Sequence, residues 1–305
     1  MTLFNTPGSL SATGTHKLSN PFYDNSTQYM PRTMKDVFEW CEYLWCTHGT
    51  YRAALQRVIR YFITDIQIEG TDDPDEITKF KEMLVKEFQI LTNLTNIGDD
   101  CISVGNSFSS LYVPIDRNLT CTKCSFSAPI QAVDFVFKDF KFTGVCKSKE
   151  CRGAHTSFTH TDSNSRDLTR FKVIRWNVHD IKLKYNQISG DTEYYLAIPS
   201  DISEAIKKGD PFILSTVNWE IVTCVQKGTD FKFNRGKLKH LKETTISSVR
   251  SNGWGIPKAL AVLKQAWYLQ ILHRQNEAIA HDYMLPFRVI SPAAGPGSAA
   301  DPVLS

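Results

Sequence analysis

Four cysteines constrain this chain more than any other feature. Cys121 and Cys124 are two residues apart, Cys146 and Cys151 are four apart, and 21 residues separate the pairs, giving C-x2-C-x21-C-x4-C. Thiolates spaced in this way can close a tetrahedral zinc site, provided each pair sits on a turn and the chain between them doubles back. The intervening chain has the means to do so. Residues 131–145 alternate, with Val133, Phe135 and Phe137 on one face, and such strands form a hairpin. Gly153 suits the tight turn after Cys151. The second spacing exceeds the commoner two residues, which leaves His155 as an alternative to Cys151 as the fourth ligand. Four ligands leave no position for water, so the expected Zn2+ is structural and not catalytic. The bland alternative is a set of reduced, buried cysteines. Cys41, Cys46, Cys101 and Cys224 lack the spacing and read as small buried residues.

With 305 residues, 42% of them hydrophobic and 22% charged, the chain can bury one large core or two ordinary ones. A net charge of +3 and a pI near 8.3 fall short of the basic excess of a protein that coats duplex phosphate. Contact with DNA is therefore expected to be local or weak, which also suits a passage along which DNA slides. No apolar run is long enough for a membrane span, and the N-terminus lacks the charged start and apolar stretch of a signal peptide. A reducing cytoplasm follows as the expectation, and there cysteine pairs favour metal over disulfide.

Residues 1–30, rich in Ser, Thr, Asn and Pro, read as an arm that is loose or laid on a neighbour. Residues 33–66 read as two helices broken at His48-Gly49, with Val37, Cys41 and Leu44 and then Leu55, Val58, Ile59 and Phe62 as apolar stripes. Arg52, Arg57 and Arg60 lie on the other faces. Residues 74–91 read as a helix capped by Asp73 with Pro74 in its first turn. Residues 101–114 read as strand, turn, strand. Residues 171–198 are extended in part, and Asp201–Lys208 is a short helix ended by Gly209 and Pro211. A long helix is expected from Ile256 towards Tyr283, with Ile256, Leu260, Leu263, Trp267 and Ile271 along one stripe. Residues 291–305 read as a flexible tail. Basic residues gather at Lys232, Arg235, Lys237, Lys239, His240 and Lys242, a strip facing DNA or a partner, or simply a solvated loop.

Phosphate-binding glycine loops, H-E-x-x-H, G-x-S-x-G and the deaminase pairing of H-x-E with P-C-x-x-C are all missing from the sequence. His160, His179 and His281 stand without catalytic company. The chain is expected not to be an enzyme; a hydrolase with an unrecognised site ranks last among the readings.

Three stretches, taken in order, resemble the portal proteins of tailed bacteriophages. Tyr51 to Arg60, an acidic helix, Val104 to Phe108 and Tyr112 to Pro114 are similar to the portal wing. An extended region ending at Lys239 to Lys242 is similar to the strand before the second stem helix. Gly253 to Pro257, a long helix, Asn276 to Ala280 and a close at Leu285 to Ile290 look like the stem helix and the start of the tunnel loop. The resemblance implies an α+β subunit with a helical wing (31–115), a wing, stem and clip region whose small clip is β-rich (157–252), and a stem helix with the start of the tunnel-loop region (253–290). The zinc ribbon (116–156) would be inserted beside the wing. The family is normally longer, continuing into further wing and crown helices.

The resemblance also implies a dodecameric ring at one capsid vertex, through which double-stranded DNA is packaged and ejected. Its partners would be the terminase, the major capsid protein and tail or adaptor proteins. Its place would be the virion, and the host cytoplasm during assembly. Lys258, Lys264, His273 and Arg274 are candidates for the channel side of the stem helix. The rival reading is a monomeric zinc-ribbon module that binds nucleic acid through Lys123, Lys138, Lys141, Lys147, Lys149 and Arg152.

Overall fold

The computed structural model describes residues 33–70, 73–149, 151, 155–165, 167–243 and 252–284. The expected arm and tail, together with Arg152, Gly153 and Leu285 to Ile290, lie outside the described residues. Helix α1 (Met34–Thr47) opens on a reciprocal cap: the Asp36 amide donates to the Thr33 hydroxyl and the Thr33 amide to the Asp36 carboxylate. It buries Met34, Val37, Phe38, Cys41 and Leu44, the spacing of one helical face. His48 breaks the run, and α2 (Gly49–Phe62) buries only Ile59. Helix α3 (Pro74–Glu82), with Asp73 capping the Asp75 amide, passes into a π-turn at Met83–Glu87, and neither buries a residue. Gln89 in the left-handed region (φ 45°) separates this stretch from α4 (Ile90–Val104).

Residues 101–104 are thus the last turn of α4, not a strand. The β-branched Ile102 and Val104 suggest extension, but Gly105 (φ 77°) ends a helix there, and only then does β1 (Asn106–Tyr112) begin. Strands β2 (Ile115–Cys121), β3 (Ser127–Pro129), β4 (Phe135–Lys138), β5 (Lys141–Val145) and β6 (His155–Asn164) build a five-stranded antiparallel sheet in the order β3-β2-β6-β5-β4. Strands β7 (Lys172–Trp176), β8 (Ile181–Tyr185) and β9 (Thr192–Leu196) follow, then α5 (Ser200–Lys208), α6 (Pro211–Thr216), α7 (Trp219–Lys227), β10 (Phe231–Lys232) and β11 (Leu238–Lys242). They complete two three-stranded antiparallel sheets, β11-β1-β7 and β10-β9-β8. The chain is α+β, with eight α-helices and three antiparallel sheets among the described residues.

The five-stranded sheet buries Leu119, Phe137, Phe142 and Phe158, and α5, α6 and α7 meet them with Ile206, Leu214, Val222 and Val225. Each fully buried side chain of this size contributes about 1.5–3 kcal/mol. Arg117, on β2, ties the sheet to these helices. Its guanidinium is fully buried, forks onto Asp162 of β6 at 2.7 and 2.6 Å, and donates to the Leu214 and Val217 carbonyls. It lies 5.1 Å from the Trp219 ring, against which His160 stacks at 3.7 Å.

A second polar knot sits in the β11-β1-β7 sheet. Asn106 is 1% exposed, and its amide donates to the Gly255 and Val104 carbonyls while its oxygen accepts from the Gly255 amide. The same oxygen lies 3.0 Å from His240 Nε2. Gly253 to Pro257 is therefore clamped in the core against Gly105 and does not begin a helix. A 3-10 turn at Lys258–Ala261 follows, and α8 (Leu263–Met284) starts seven residues later than Ile256. Residues from Val262 form a second unit, whose described part is essentially α8.

Candidate metal centre

Strands β2 and β5 both run antiparallel to β6, so they end on the same side of the sheet, where β6 begins. Cys121 is the last residue of β2, Cys146 directly follows β5, and Cys151 precedes β6. The topology thus gathers both cysteine pairs at one sheet end, and the β4–β5 hairpin is the segment that brings the second pair back. The ligand atoms of Cys121, Cys124, Cys146 and Cys151 all lie within 4.8 Å of one another, so the cluster could hold a metal ion. His155 is exposed, stands opposite Val145 in the sheet, and is not part of the cluster.

The first pair sits on a tight turn. The Cys121 amide donates to the Phe126 carbonyl, the Ser125 amide donates to the Cys121 carbonyl, and Ser125 adopts φ 57°. The turn aims the Lys123 amide at the Cys121 sulfur, 3.4 Å away. In the second pair the Cys151 amide donates to the Ser148 carbonyl. Sulfurs of opposite pairs face each other, Cys121 with Cys151 at 3.9 Å and Cys124 with Cys146 at 3.6 Å. Cys121 and Cys146 are buried, and the other two are partly covered.

Burial works against ionisation of Cys121, but the Thr156 hydroxyl and the Cys124 and Lys123 amides outweigh it and hold the thiol down at about 6. Hydrogen bonding to Cys124, then burial, pushes Cys151 up to about 12. Cys146 is also raised, by burial and by Cys124, against the Ser148 amide. Four sulfurs this close cannot all carry charge without a cation among them. The Thr156 hydroxyl, buried 3.4 Å from the Cys121 sulfur, is a participant that spacing rules do not find; only its alternation with Phe158 on β6 marks it as inward-facing.

The other residues singled out from sequence scatter. Lys239 and Lys242 are three apart on β11 and so project to opposite faces of the sheet, while His240 is turned inward against Phe108 at 4.3 Å. Lys232 pairs with Glu193 at 2.6 Å on another sheet, Arg235 is almost fully exposed, and Lys237 is exposed. Lys258 precedes α8 and pairs with Glu243 at 3.3 Å, and the Lys264 ammonium lies 5.9 Å from the Tyr268 ring. His273 and Arg274 are exposed on α8. Of the lysines near the cluster, Lys147 pairs with Asp134 at 3.1 Å, and Lys123, Lys138, Lys141 and Lys149 are exposed. No helix among the described residues is long and apolar enough to cross a membrane. No protein-family model matches the chain, and no curated protein matches it in sequence.

Proposed function

We propose that the chain is a subunit of a phage-type portal, a non-enzymatic ring at a capsid vertex through which double-stranded DNA passes, and that its cysteine cluster holds a structural Zn2+. The observation that carries the ring reading is α8. Leu272, Ile279 and Tyr283 are exposed and fall within about 40° of one another round the helix axis. Gln270, Arg274, Glu277 and His281 lie on the opposite side. An apolar stripe that is exposed among the described residues calls for a neighbour, and copies arranged in a ring would supply one. The polar side would then face the water-filled passage, with Arg274 among the residues meeting DNA. A net charge of +3 suits a passage that must let DNA slide. In this reading the terminase, the major capsid protein and tail or adaptor proteins are the partners, and the virion is the location.

Zinc is supported by the donor set. With Zn–S bonds near 2.3 Å, the edge of a tetrahedron is about 3.8 Å, beside the 3.6 and 3.9 Å separations here. The four thiolates would hold the ion, and its charge would tie β2, β5 and β6 together at one end. The test is particle mass in solution with negative-stain imaging, and elemental analysis of the same sample. A closed ring with a central hole and one zinc per chain is the expected result. A chain that stays monomeric at high concentration and binds DNA in a salt-dependent way would replace this reading with that of a zinc-ribbon nucleic-acid module.

A further inference from the structure

We infer that the four-cysteine cluster is also an oxidation site, at which a peroxide bonds Cys121 to Cys151 and Cys124 to Cys146 and the metal is released; this rests on the zinc reading above and not on the ring. The pairing follows from which sulfurs face each other. Cys121 lies 3.9 Å from Cys151 and Cys124 lies 3.6 Å from Cys146, each contact joining the first cysteine pair to the second. To make a bond, each gap closes to about 2.05 Å. Cys121 and Cys146 are buried, one in each facing couple. Oxidant therefore meets Cys124 or Cys151 first, and the buried sulfur across the contact is the one that answers it.

The chemistry balances within each couple. The Cys124 or Cys151 sulfur attacks hydrogen peroxide, an S–O bond forms as the O–O bond breaks, and the leaving hydroxide takes a proton to become water. The facing Cys146 or Cys121 sulfur then attacks the sulfenic acid. An S–S bond forms, the S–O bond breaks, and the second hydroxide also leaves as water after taking a proton. Each couple gives up two electrons and one peroxide accepts them. Once all four sulfurs are bonded to one another, no thiolate remains to hold the ion. The crossed bonds tie the strand ends that the ion would tie. Cys121 ends β2 and Cys151 precedes β6, while Cys146 follows β5 and Cys124 sits between β2 and β3. The bonded residues are 30 and 22 positions apart, and longer loops take more freedom from the unfolded chain. Bonds within the pairs, Cys121 to Cys124 and Cys146 to Cys151, would close only short turns.

The experiment titrates the intact protein, purified in reductant and then freed of it, with hydrogen peroxide. Zinc is counted by elemental analysis beforehand and by a chromophoric chelator as it is released, and disulfides are mapped by mass spectrometry of unreduced peptides. Zinc is expected to leave as Cys121 bonds to Cys151 and Cys124 to Cys146, and reduction with added zinc should return the starting form. Amide exchange at the ends of β2, β5 and β6 should stay at least about tenfold slower in the oxidised protein than in the chelated, reduced one. If the protein holds no zinc before peroxide is added, the zinc reading fails and this inference with it. Zinc that stays bound, with all four cysteines unmodified, at peroxide sufficient to oxidise a free cysteine reference in the same sample would overturn the oxidation site alone. Release with bonds inside the pairs, or with sulfinic or sulfonic acids, would overturn the crossed tie, and so would exchange as fast as in the chelated protein.

Discussion

Arg117 shows how much one buried charge depends on its surroundings. Its side chain is fully buried, and the cost of taking the guanidinium out of water is offset by Asp162, two carbonyls and the Trp219 ring. Asp162→Ala leaves the cation in place without its counterion and should cost about 3–5 kcal/mol in urea unfolding. Arg117→Met combined with Asp162→Leu should cost much less, because no charge is then stranded. His240 gives a pH signature. Burial, helped by Lys242, drives its pKa down to about 3. The unfolded imidazole takes a proton near pH 6.5 and the folded one refuses it, so this contribution is complete above that pH. It is lost as pH falls towards 3, with a slope of up to about 1.4 kcal/mol per unit. His160, lowered chiefly by burial, adds to the slope with the same sign. His240→Gln should flatten the acid limb of a stability–pH curve; an unchanged slope would remove His240 from the account.

At the scale of elements, the cysteine cluster and the start of α3 were legible because their signals are local. Ligand spacing, alternation at Val133, Phe135 and Phe137, and the Asp73-Pro74 cap each act within a few residues. The elements that escaped are those fixed from a distance or by one residue with two roles. Pro211 reads as the end of α5, yet Asp210 caps the Phe212 amide and Pro211 opens α6. The expected helix start at Ile256 fails because Asn106, 149 positions away, grips Gly255. Nothing local announces that contact. Trp219 likewise looks like ordinary apolar content until β2 and β6 bring Arg117 and His160 against it. The sheet ends also decide what metal removal should do. Chelation should speed hydrogen exchange at the ends of β2, β5 and β6 and lower the melting temperature, while the β11-β1-β7 sheet keeps its protection. Uniform loss across all three sheets would mean that the cluster governs the whole fold.

For the whole molecule, the α+β class was legible but the way the cluster is housed was not. From sequence, residues 116–156 read as an insertion; in the structure the cysteine-bearing strands share one core with α5–α7, over residues 119–225. A metal ion held by the four cysteines would act as a rivet within that core. The Asn106 clamp adds a temporal consequence. Strand β1 needs β7 and β11 on its two sides, and its last hydrogen bonds wait for Gly255. Closing so long a loop is entropically costly and slow. Strands β2–β6 are all synthesised by Asn164, and the helices that complete their core, α5–α7, end at Lys227, well before Gly255. A nascent chain would therefore complete the core around its four cysteines early and lock its first strand late.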